Sequence, residues 1–430
     1  MRILFVTPYP PSRIRVRGYE FLRQLQQKHD VTVLAQCASE QEYADAEKLR
    51  QQGYDVRLVE ESKMRSTLKS GAALLRSRSL PLQVAYARSA RFKQAVKQLY
   101  AEGSFDVMHV EHLRGIASVA ELANRYPLVW DAVDCISLLF KQTMASGPAR
   151  SVRLVAALDH ERTRRYEAKV LKKLPCTVVT SERDRRAMIE LLRFHTHDLV
   201  SSDEELGKHI FVLPNGVDLD YFRPREQDIR PANIVFSGKM SYHANVATAL
   251  YLYRQIMPLI WQQRPDATLT IVGSKPPKPI LALAGDARVE VTGYVEDIRP
   301  YIARAEVMLS PMVYSVGIQN KVLEAMALGT PVVVAEQAAS GLGTQAGRDL
   351  LVASTPREFA DATLRLLGNA DLRASLSRNG RDYVERNHDW SIVGERLAEL
   401  YQRVLAPRRG DLQGRPLPTA LRVGNPDGYL

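Results

Sequence analysis

The chain contains little cysteine and no long apolar run. Cys37, Cys135 and Cys176 are its three cysteines, and they stand far apart in 430 residues. This spacing excludes a disulfide framework and a cysteine-based zinc site, and it favours a reducing cytosol. No stretch of about 18 apolar residues occurs, and the opening apolar run is too short for a signal peptide. We therefore expect no membrane-spanning segment.

Recognisable metal-binding patterns are also missing. The sequence has no His-Glu-x-x-His motif and no clustered cysteines, which are the usual signatures of zinc sites. We therefore expect a protein that works without a metal ion or any other bound cofactor.

The composition is that of a water-soluble globular protein. Hydrophobic residues make up 45% of the chain and charged residues 25%, values that argue against disorder and against a fibrous repeat. A chain of 430 residues exceeds what one hydrophobic core usually serves, so two domains of roughly 200 residues each are expected.

Short β-branched runs recur along the chain with helical patterns between them, which is typical of parallel sheets with crossover helices. In the first half the predicted strands are Ile3–Thr7, Val31–Ala35, Val56–Val59, Val107–Val110, Leu128–Ala132, Thr177–Thr180 and Ile210–Leu213. In the second half they are Ile234–Ser237, Leu269–Val272, Val289–Thr292, Val307–Leu309, Pro331–Val334 and Leu350–Val352. The pattern predicts the α/β class, with two doubly wound Rossmann-like domains that face each other across a central cleft.

Breaks in this series give the domain boundaries. Periodicity is lost around Pro224 and Pro231, which indicates a linker. An amphipathic helical pattern precedes a final segment rich in proline, glycine and arginine, and we expect that segment to be disordered. The predicted parts are domain 1–224, linker 225–231, domain 232–388, a helix at 389–406 that returns to the first domain, and a tail at 407–430.

Positive charge is distributed unevenly. The net charge is +11, and residues 63–97 contain nine basic and no acidic side chains, interleaved with apolar ones. Phosphorylated substrates, acidic lipid and nucleic acid would all attract such a protein. Because no helix-turn-helix, zinc-finger or RNP signature accompanies the segment, we expect it to meet an anionic membrane surface and no nucleic acid.

The most informative segment runs from residue 317 to residue 334. It indicates a loop at Gly317, a helix, a turn at Gly329 and a strand opened by Pro331. The free N–H groups at the start of such a helix suit a pyrophosphate. Lys321 and Glu324 lie three residues apart, hence on one helical face, so a cation and a carboxylate could meet one ligand.

This segment, together with Leu213–Pro224, resembles the family-4 retaining glycosyltransferases of the GT-B fold (glycosyl transferases group 1). The resemblance extends from Met1 to about Ala406. Three further segments, Pro8–Pro11, Asp131–Asp134 and Met240–Asn245, are similar to a subgroup associated with bacterial exopolysaccharide assembly.

The resemblance implies a donor site in the second domain. Glu324 stands at the position of a glutamate that binds the donor ribose, and Lys239 and Lys321 are expected to meet the diphosphate. Alternatives from the residues alone are a carboxylate that only complements the helix dipole, a solvated lysine at 239 and a core aromatic at 294. The implied donor-binding residues are Gly238, Lys239, Tyr294, Val295, Gly317, Ile318, Gln319, Asn320, Lys321 and Glu324.

The sequence departs from the family pattern at several positions, one of which is Lys239, where the family commonly has an arginine. Val316 stands where the family has a first glutamate, and Val133 stands where it has a histidine. The family's other phosphate lysine would lie near Ala244, and Lys321 is a candidate to replace it.

The first domain contains the candidates for the acceptor side. Asp131 and Asp134 follow a buried strand and could orient the acceptor hydroxyl or accept its proton, although capping or ion pairing explains them equally well. With Lys239 and Lys321 they are the predicted catalytic residues. His109, Glu111 and His112 are further candidates, and the alternative for the histidines is a lone surface side chain without a functional role. Arg13, Arg15 and Arg17 lie in the first loop and could bind an acceptor phosphate, or they could simply be solvated.

The resemblance implies a metal-independent, retaining glycosyltransferase. Its co-substrate would be a UDP- or GDP-sugar, its acceptor a glycan or lipid-linked glycan of bacterial surface polysaccharide, and its location the cytoplasmic face of the membrane. Two alternatives stay open. One is a nucleotide-sugar 2-epimerase, and the other is a sugar-nucleotide-binding scaffold without activity, suggested by Val133 and Val316. The sequence does not specify the oligomeric state.

Overall fold

The structure, a computed structural model, describes residues 1–76, 80–103, 105–147, 150–196, 201–224, 228–312 and 317–406. The chain divides into two compact units. Unit 1 contains Met1–Lys141, Ala156–Pro214 and the described chain from Trp390 onward, and unit 2 contains Gln142–Val155 and Asn215–Asp389.

Unit 1 is built on a seven-stranded parallel sheet in the order β3-β2-β1-β4-β5-β6-β7. Its strands are β1 Arg2–Thr7, β2 Asp30–Cys37, β3 Asp55–Glu60, β4 Val107–Glu111, β5 Leu128–Val133, β6 Thr177–Val179 and β7 Ile210–Val212. Strand β4 is buried along its whole length, because helices cover both faces of a parallel sheet.

Unit 2 is built on a six-stranded parallel sheet in the order β10-β9-β8-β11-β12-β13. Its strands are β8 Arg230–Ser237, β9 Thr268–Val272, β10 Val289–Gly293, β11 Ala305–Ser310, β12 Val332–Ala335 and β13 Leu351–Ala353. In both sheets the strand order reverses next to the first strand, at β1/β4 and at β8/β11. Ligands of open α/β sheets bind at the carboxyl ends of the strands beside such a reversal.

Helices lie between consecutive strands of each sheet, because parallel strands need a crossover connection. In the first half of the chain they are α1 Val16–Leu25, α2 Glu40–Gln51, α3 Lys63–Arg76, α4 Leu82–Ala87, α5 Ala90–Glu102, α6 His112–Val119, α7 Ile136–Ser146, α8 Arg150–Leu171, α9 Glu182–Thr196 and α10 Asp203–Leu206. In the second half they are α11 His243–Tyr251, α12 Met257–Trp261, α13 Lys278–Leu281, α14 Arg299–Ala303, α15 Asn320–Ala327, α16 Glu336–Leu342, α17 Pro356–Gly368, α18 Ala370–Asn387 and α19 Trp390–Leu405. Short 3₁₀ turns at Ala120–Leu122 and Ala282–Gly285 and a π-helical turn at Leu252–Ile256 complete the series.

Helix α19 contributes to the core of unit 1. Its side chains Trp390, Leu397 and Tyr401 are buried with Phe5 and Phe21. This apolar face follows the helical period seen in the sequence, and its burial is the main source of the helix's stability.

The α/β class and the two doubly wound Rossmann-like sheets predicted from the sequence are confirmed. Part of the predicted linker, residues 225–227, and the predicted tail from residue 407 lie outside the described residues. Among the described helices, none combines the length and apolar character that crossing a bilayer requires.

Candidate active site

The backbone at the carboxyl ends of β8 and β9 forms one edge of the candidate donor site. Gly238 has φ +152° and Gly273 has φ +155°, values that L side chains rarely adopt. A Cβ atom on Gly273 would lie 1.8 Å from the carbonyl oxygen of Gly238. The two strand ends therefore approach so closely that only backbone fits there.

Lys321 brings a buried cation to this edge. It lies in the first turn of α15 with 9% of its surface exposed. Its Nζ donates to Oδ1 of Asn245 at 2.8 Å, lies 4.0 Å from Sδ of Met312 and sits 4.3 Å from the centroid of the Phe236 ring. Burial lowers the pKa of Lys321 to about 7, and the charge of Glu324 opposes this shift.

Glu324 lies one helical turn further along α15 and is half-buried. Burial raises the pKa of its carboxyl group to about 7, although the charge of Lys321 acts in the opposite direction. Both groups therefore titrate near neutral pH, where a ligand can set their protonation.

The loop before α15 places the other predicted donor residues. Gly317 adopts the left-handed conformation with φ +64°, and Ile318 is buried in the core of unit 2. Gln319 is the N-cap residue of α15, and its side chain caps no backbone N–H. Asn320 is fixed by a hydrogen bond in which Oδ1 accepts from Nδ2 of Asn215 at 2.9 Å.

The remaining donor residues differ in exposure. Lys239 is exposed directly after Gly238. Tyr294 is 77% exposed at the end of β10, which excludes the alternative that it belongs to the core. Val295 packs against the core of unit 2. Tyr294 therefore presents an aromatic face that a nucleobase could cover.

In unit 1, Asp131 and Arg17 form a buried ion pair. Nε of Arg17 lies 2.6 Å from Oδ2 of Asp131, and Nη2 lies 3.1 Å from Oδ1. The carboxylate is fully buried, and Nε2 of His109 lies 3.8 Å from Oδ2. Of the two roles that the sequence left open for Asp131, this geometry favours the ion pair.

The three arginines predicted for the first loop differ in position and exposure, because Arg17 lies in the first turn of α1 and not in the loop. Arg17 is buried in the pair with Asp131. Arg15 donates to the Pro10 carbonyl oxygen at 3.0 Å and to Oε1 of Glu42 at 3.1 Å. Arg13 is exposed. The geometry therefore leaves Arg13 as the member of the predicted acceptor set whose guanidinium is presented to solvent.

Asp134 and Glu111 are the titratable groups at the carboxyl ends of β5 and β4. Oδ1 of Asp134 accepts from the Thr180 hydroxyl at 3.2 Å, and burial together with the charge of Asp184 raises the Asp134 pKa to about 7. Glu111 accepts from the Thr7 hydroxyl at 3.0 Å, and burial raises its pKa to about 8. Carboxyl groups with such values can exchange protons near neutral pH.

Two non-glycine residues at these strand ends have positive φ angles. His112 has φ +60° and Val133 has φ +68°. For a β-branched residue this conformation is strained, and strain of this kind clusters at functional sites. Burial lowers the pKa of His112 and of His109 to about 4, so both imidazoles are neutral at physiological pH.

A cavity of about 900 Å³ lies within unit 1, between the carboxyl ends of β2 and β3 and the starts of α2 and α5. Glu40, Tyr43, Glu60, Ser89 and Arg91 are among its lining residues. Such a mixture of acceptors, hydroxyl groups and an exposed aromatic ring suits a polyhydroxylated ligand better than an apolar one.

The sequence analysis missed the roles of two asparagines. Asn245 holds Lys321, and Asn215 holds Asn320 while its carbonyl oxygen accepts from Nδ1 of His388 at 2.7 Å. Both asparagines lie in segments that carried the family resemblance. Their place in those segments was the sequence feature that could have pointed to a role in the site. Val316 lies outside the described residues.

The described residues of the basic segment at 63–97 include helices α3 and α4 and the first part of α5. Several of its apolar residues pack inward, with Val84 and Phe92 in the core, whereas Met64 and Leu68 on α3 are exposed. Arg78 lies outside the described residues. Among the residues that the structure describes, no group of three or more His, Cys, Asp or Glu side chains is placed to hold a metal ion.

Residues 231–369, which include all the predicted donor residues, match the family described as Glycosyl transferases group 1. A phosphatidyl-myo-inositol mannosyltransferase of Mycobacterium leprae is 27% identical over 211 residues, which are 47% of this chain and 55% of the relative. A GDP-mannose-dependent monoacylated alpha-(1-6)-phosphatidylinositol monomannoside mannosyltransferase of Corynebacterium glutamicum is 28% identical over 212 residues, 44% of this chain and 55% of the relative. The chain thus spans about half the length of these curated relatives.

Solved structures share the fold over nearly the whole chain. The crystal structure of Anabaena Alr3699/HepE in complex with UDP superposes with a TM-score of 0.67 at 15% identity, covering 94% of this chain and all of the other. The resemblance to group 1 glycosyltransferases predicted from the sequence is therefore confirmed. The chain has the GT-B fold, and its residues 231–369 match the model of the glycosyl transferases group 1 family.

Proposed function

We propose that this chain is a retaining, metal-independent glycosyltransferase that moves a sugar from a nucleotide-sugar donor to a glycan or lipid-linked acceptor. The observation that carries the proposal is the ammonium group of Lys321. It is buried beside Gly238, and its contacts in the described chain are an amide oxygen, a thioether and an aromatic ring. A buried cation whose direct contacts are all uncharged is costly unless an anionic ligand pairs with it, and the nearby charge of Glu324 offsets the effect of burial only in part.

The donor diphosphate fits this requirement. When the glycosidic bond breaks, negative charge grows on the leaving diphosphate, and fixed cations stabilise it without the cost of reorganisation. Lys321, the exposed Lys239 and the N–H groups at the start of α15 would supply that stabilisation. Glu324 would hold the ribose hydroxyl groups, and Tyr294 would cover the base. Retention of the anomeric configuration is carried over from the family resemblance.

Relatives support both candidate bases. The corynebacterial relative is described as GDP-mannose-dependent, and the Anabaena structure contains UDP. A UDP-sugar and a GDP-sugar are therefore the two donors to test first.

The acceptor side rests on unit 1. We place sugar units of the acceptor in the cavity near Tyr43 and Glu60, because its lining offers hydroxyl groups, carboxylates and an aromatic face. Asp134, whose pKa lies near neutral pH, is the candidate that orients the acceptor hydroxyl or accepts its proton. The proposed pathway, bacterial surface polysaccharide assembly, rests on the subgroup resemblance.

For membrane association, we propose helix α3 as the contact. Met64 and Leu68 are exposed four residues apart on this helix, next to Lys63. Flotation with vesicles rich in anionic lipid, lost in Met64→Asp with Leu68→Asp, would support peripheral binding on the cytoplasmic face. Flotation that does not depend on anionic lipid would contradict it.

The first experiment is a thermal-shift screen of UDP-, GDP- and ADP-sugars. A ligand that binds only the folded chain raises the melting temperature, and at equal concentration the tighter ligand raises it more. The best donor is then used in a transfer assay with Lys321→Ala and Glu324→Ala, which we expect to abolish transfer with the fold intact. Glu290→Ala, an exposed carboxylate paired with Arg230, is the matched control and should retain transfer.

The outcomes separate the candidate functions. Normal turnover in both Lys321→Ala and Glu324→Ala would remove the proposed donor site. An epimerised sugar nucleotide formed from donor alone would identify a 2-epimerase. Binding without turnover across a panel of acceptors would favour the scaffold, for which strained Val133 at the family's histidine position is the supporting observation.

A further inference from the structure

The amide of Asn245 joins two parts of the candidate donor site that are far apart in the sequence. Its Oδ1 accepts from Nζ of Lys321 at 2.8 Å, and its Nδ2 donates to the carbonyl oxygen of Lys239 at 3.0 Å. These partners fix the orientation of the amide, because an ammonium group can only donate and a carbonyl oxygen can only accept. One side chain on α11 therefore ties the cation of α15 to the backbone that follows β8.

The identity of this residue has a chemical consequence. An aspartate in the same place would hold the ammonium group equally well, but it would also neutralise its charge. The amide of Asn245 holds the ammonium group without neutralising it. Among the described residues its other direct contacts, Sδ of Met312 and the ring of Phe236, carry no charge, and Glu324, one helical turn further along α15, is the carboxylate whose charge acts on it. When Lys321 is protonated, its positive charge is therefore available to a ligand. Burial disfavours that charge and lowers the pKa of Lys321.

Gly238 keeps this group accessible from the strand end. A Cβ atom at position 238 would lie 3.0 Å from Nζ of Lys321 and 2.8 Å from Nδ2 of Asn245. Any larger residue would therefore press on both groups, whereas glycine leaves the space beside them to a ligand.

We propose that Asn245 is a positioning residue for the donor diphosphate. It aligns the ammonium group of Lys321 and the backbone of Lys239, so that both predicted phosphate cations depend on one neutral amide. The inference rests on the proposed function, because it assumes that a nucleotide sugar occupies this site.

The test measures the dissociation constants of UDP-glucose and GDP-mannose by calorimetry at pH 6.5. Asn245→Asp has nearly the same shape but neutralises the ammonium group, and Asn245→Leu removes both hydrogen bonds. We expect each variant to raise the dissociation constant at least tenfold. The matched control is Asn233→Asp, a buried asparagine on β8 whose amide donates to Thr268 and Thr270, and it should stay within threefold of the wild type.

Two further readouts distinguish positioning from general support of the fold. A carboxylate at 245 favours the charged form of Lys321, so the pH at which donor affinity declines should move upward in Asn245→Asp. The second readout uses a double variant, Asn245→Lys with Lys321→Met, which moves the cation from α15 to α11. We expect this variant to bind the donor within about fivefold of the wild type, because a charged hydrogen bond to phosphate is restored. Lys321→Met alone should stay weak.

The results separate the failure of this inference from that of the proposed function. If the wild type binds neither nucleotide sugar, the proposed donor site fails and this inference fails with it. If the wild type binds and Asn245→Asp binds equally well, the positioning role alone is wrong. The role is also wrong if the relocated lysine does no better than Lys321→Met while both proteins melt at the wild-type temperature.

Discussion

The ammonium nitrogen of Lys321 lies 2.8 Å from the amide oxygen of Asn245, a residue 76 positions earlier in the chain. Both side chains are buried, and the pair carries a full positive charge when the lysine is protonated. Holding such a charge in the interior destabilises the folded state. This arrangement is the main reason to regard the carboxyl edge of the unit 2 sheet as an anion-binding site.

Lys321→Met should weaken donor binding and stabilise the protein at pH 6. Loss of a charge-assisted hydrogen bond costs about 1.5–3 kcal/mol, or roughly 10- to 150-fold in the dissociation constant. The folded-state pKa of Lys321 is lowered to about 7 from 10.5, so the destabilisation is fully present below pH 7 and is relieved as pH rises towards 10.5. The melting temperature should therefore rise by about 2–4 °C or more at pH 6 and by less at pH 9.

Calorimetry and thermal melts measure both effects. Arg365→Met, which removes an exposed cation on α17, is the control and should change neither property. A fall in the melting temperature of Lys321→Met at pH 6 would mean that the ammonium group stabilises the folded state, which contradicts the prediction.

Donor affinity should decline as pH rises above about 7. A bound diphosphate stabilises protonated Lys321 and so raises its pKa in the complex, which means that binding takes up a proton above the free-state value. The dissociation constant of a nucleotide sugar, whose diphosphate does not titrate in this range, should rise by up to about tenfold per pH unit. Titration calorimetry between pH 6 and pH 9 measures this dissociation constant.

Burial raises the pKa of Glu324 to about 7, so this carboxyl group titrates in the same range as Lys321. Its contribution to the pH dependence of donor affinity must be distinguished from that of the lysine. Lys321→Arg keeps its charge throughout, so any slope that remains in this variant belongs to Glu324. An identical slope in Lys321→Arg and the wild type would refute the assignment to the lysine.

The periodicity of the sequence was enough to predict every strand of the two sheets. A strand that is buried on both faces appears in the sequence as an apolar run, whichever strands it pairs with. The observed β5, for example, is only one residue longer than the predicted Leu128–Ala132, because it ends at Val133. Contacts between side chains remote in the sequence leave no such local trace. Arg17 looked like a loop cation, and its partner Asp131 follows 114 residues later. The helix that carries Lys321 was predicted from its local pattern, and the role of Lys321 toward a ligand stays a prediction, but Asn245, the residue that holds it, was not recognised.

Asp131→Asn should destabilise unit 1 while leaving catalysis in the folded protein largely intact. Breaking a buried ion pair costs about 3–5 kcal/mol because one charge is left uncompensated. Arg17→Met combined with Asp131→Leu removes both charges and should recover much of that loss. Denaturant melts and turnover per folded molecule, measured well below the melting temperature, provide the comparison. A stable Asp131→Asn protein without turnover would restore the catalytic alternative for this carboxylate.

Tyr294→Ala should weaken donor binding without affecting the fold. The side chain is exposed, so its removal leaves no cavity, whereas loss of stacking on a nucleobase costs about 1–3 kcal/mol. A rise of about five- to 150-fold in the dissociation constant is expected, with Tyr294→Phe close to the wild type. Equal affinity in all three proteins would place the base elsewhere.

The contact of Gly273 with the backbone of Gly238 restricts which positions of the proposed donor site can be changed by mutation. No side chain can be introduced at the meeting of those two strand tips, so the surface there is made of invariant main-chain atoms and cannot be retuned by point substitution. Attempts to alter donor preference by directed evolution will therefore find their useful mutations on the surrounding loops, among them the one that carries Tyr294.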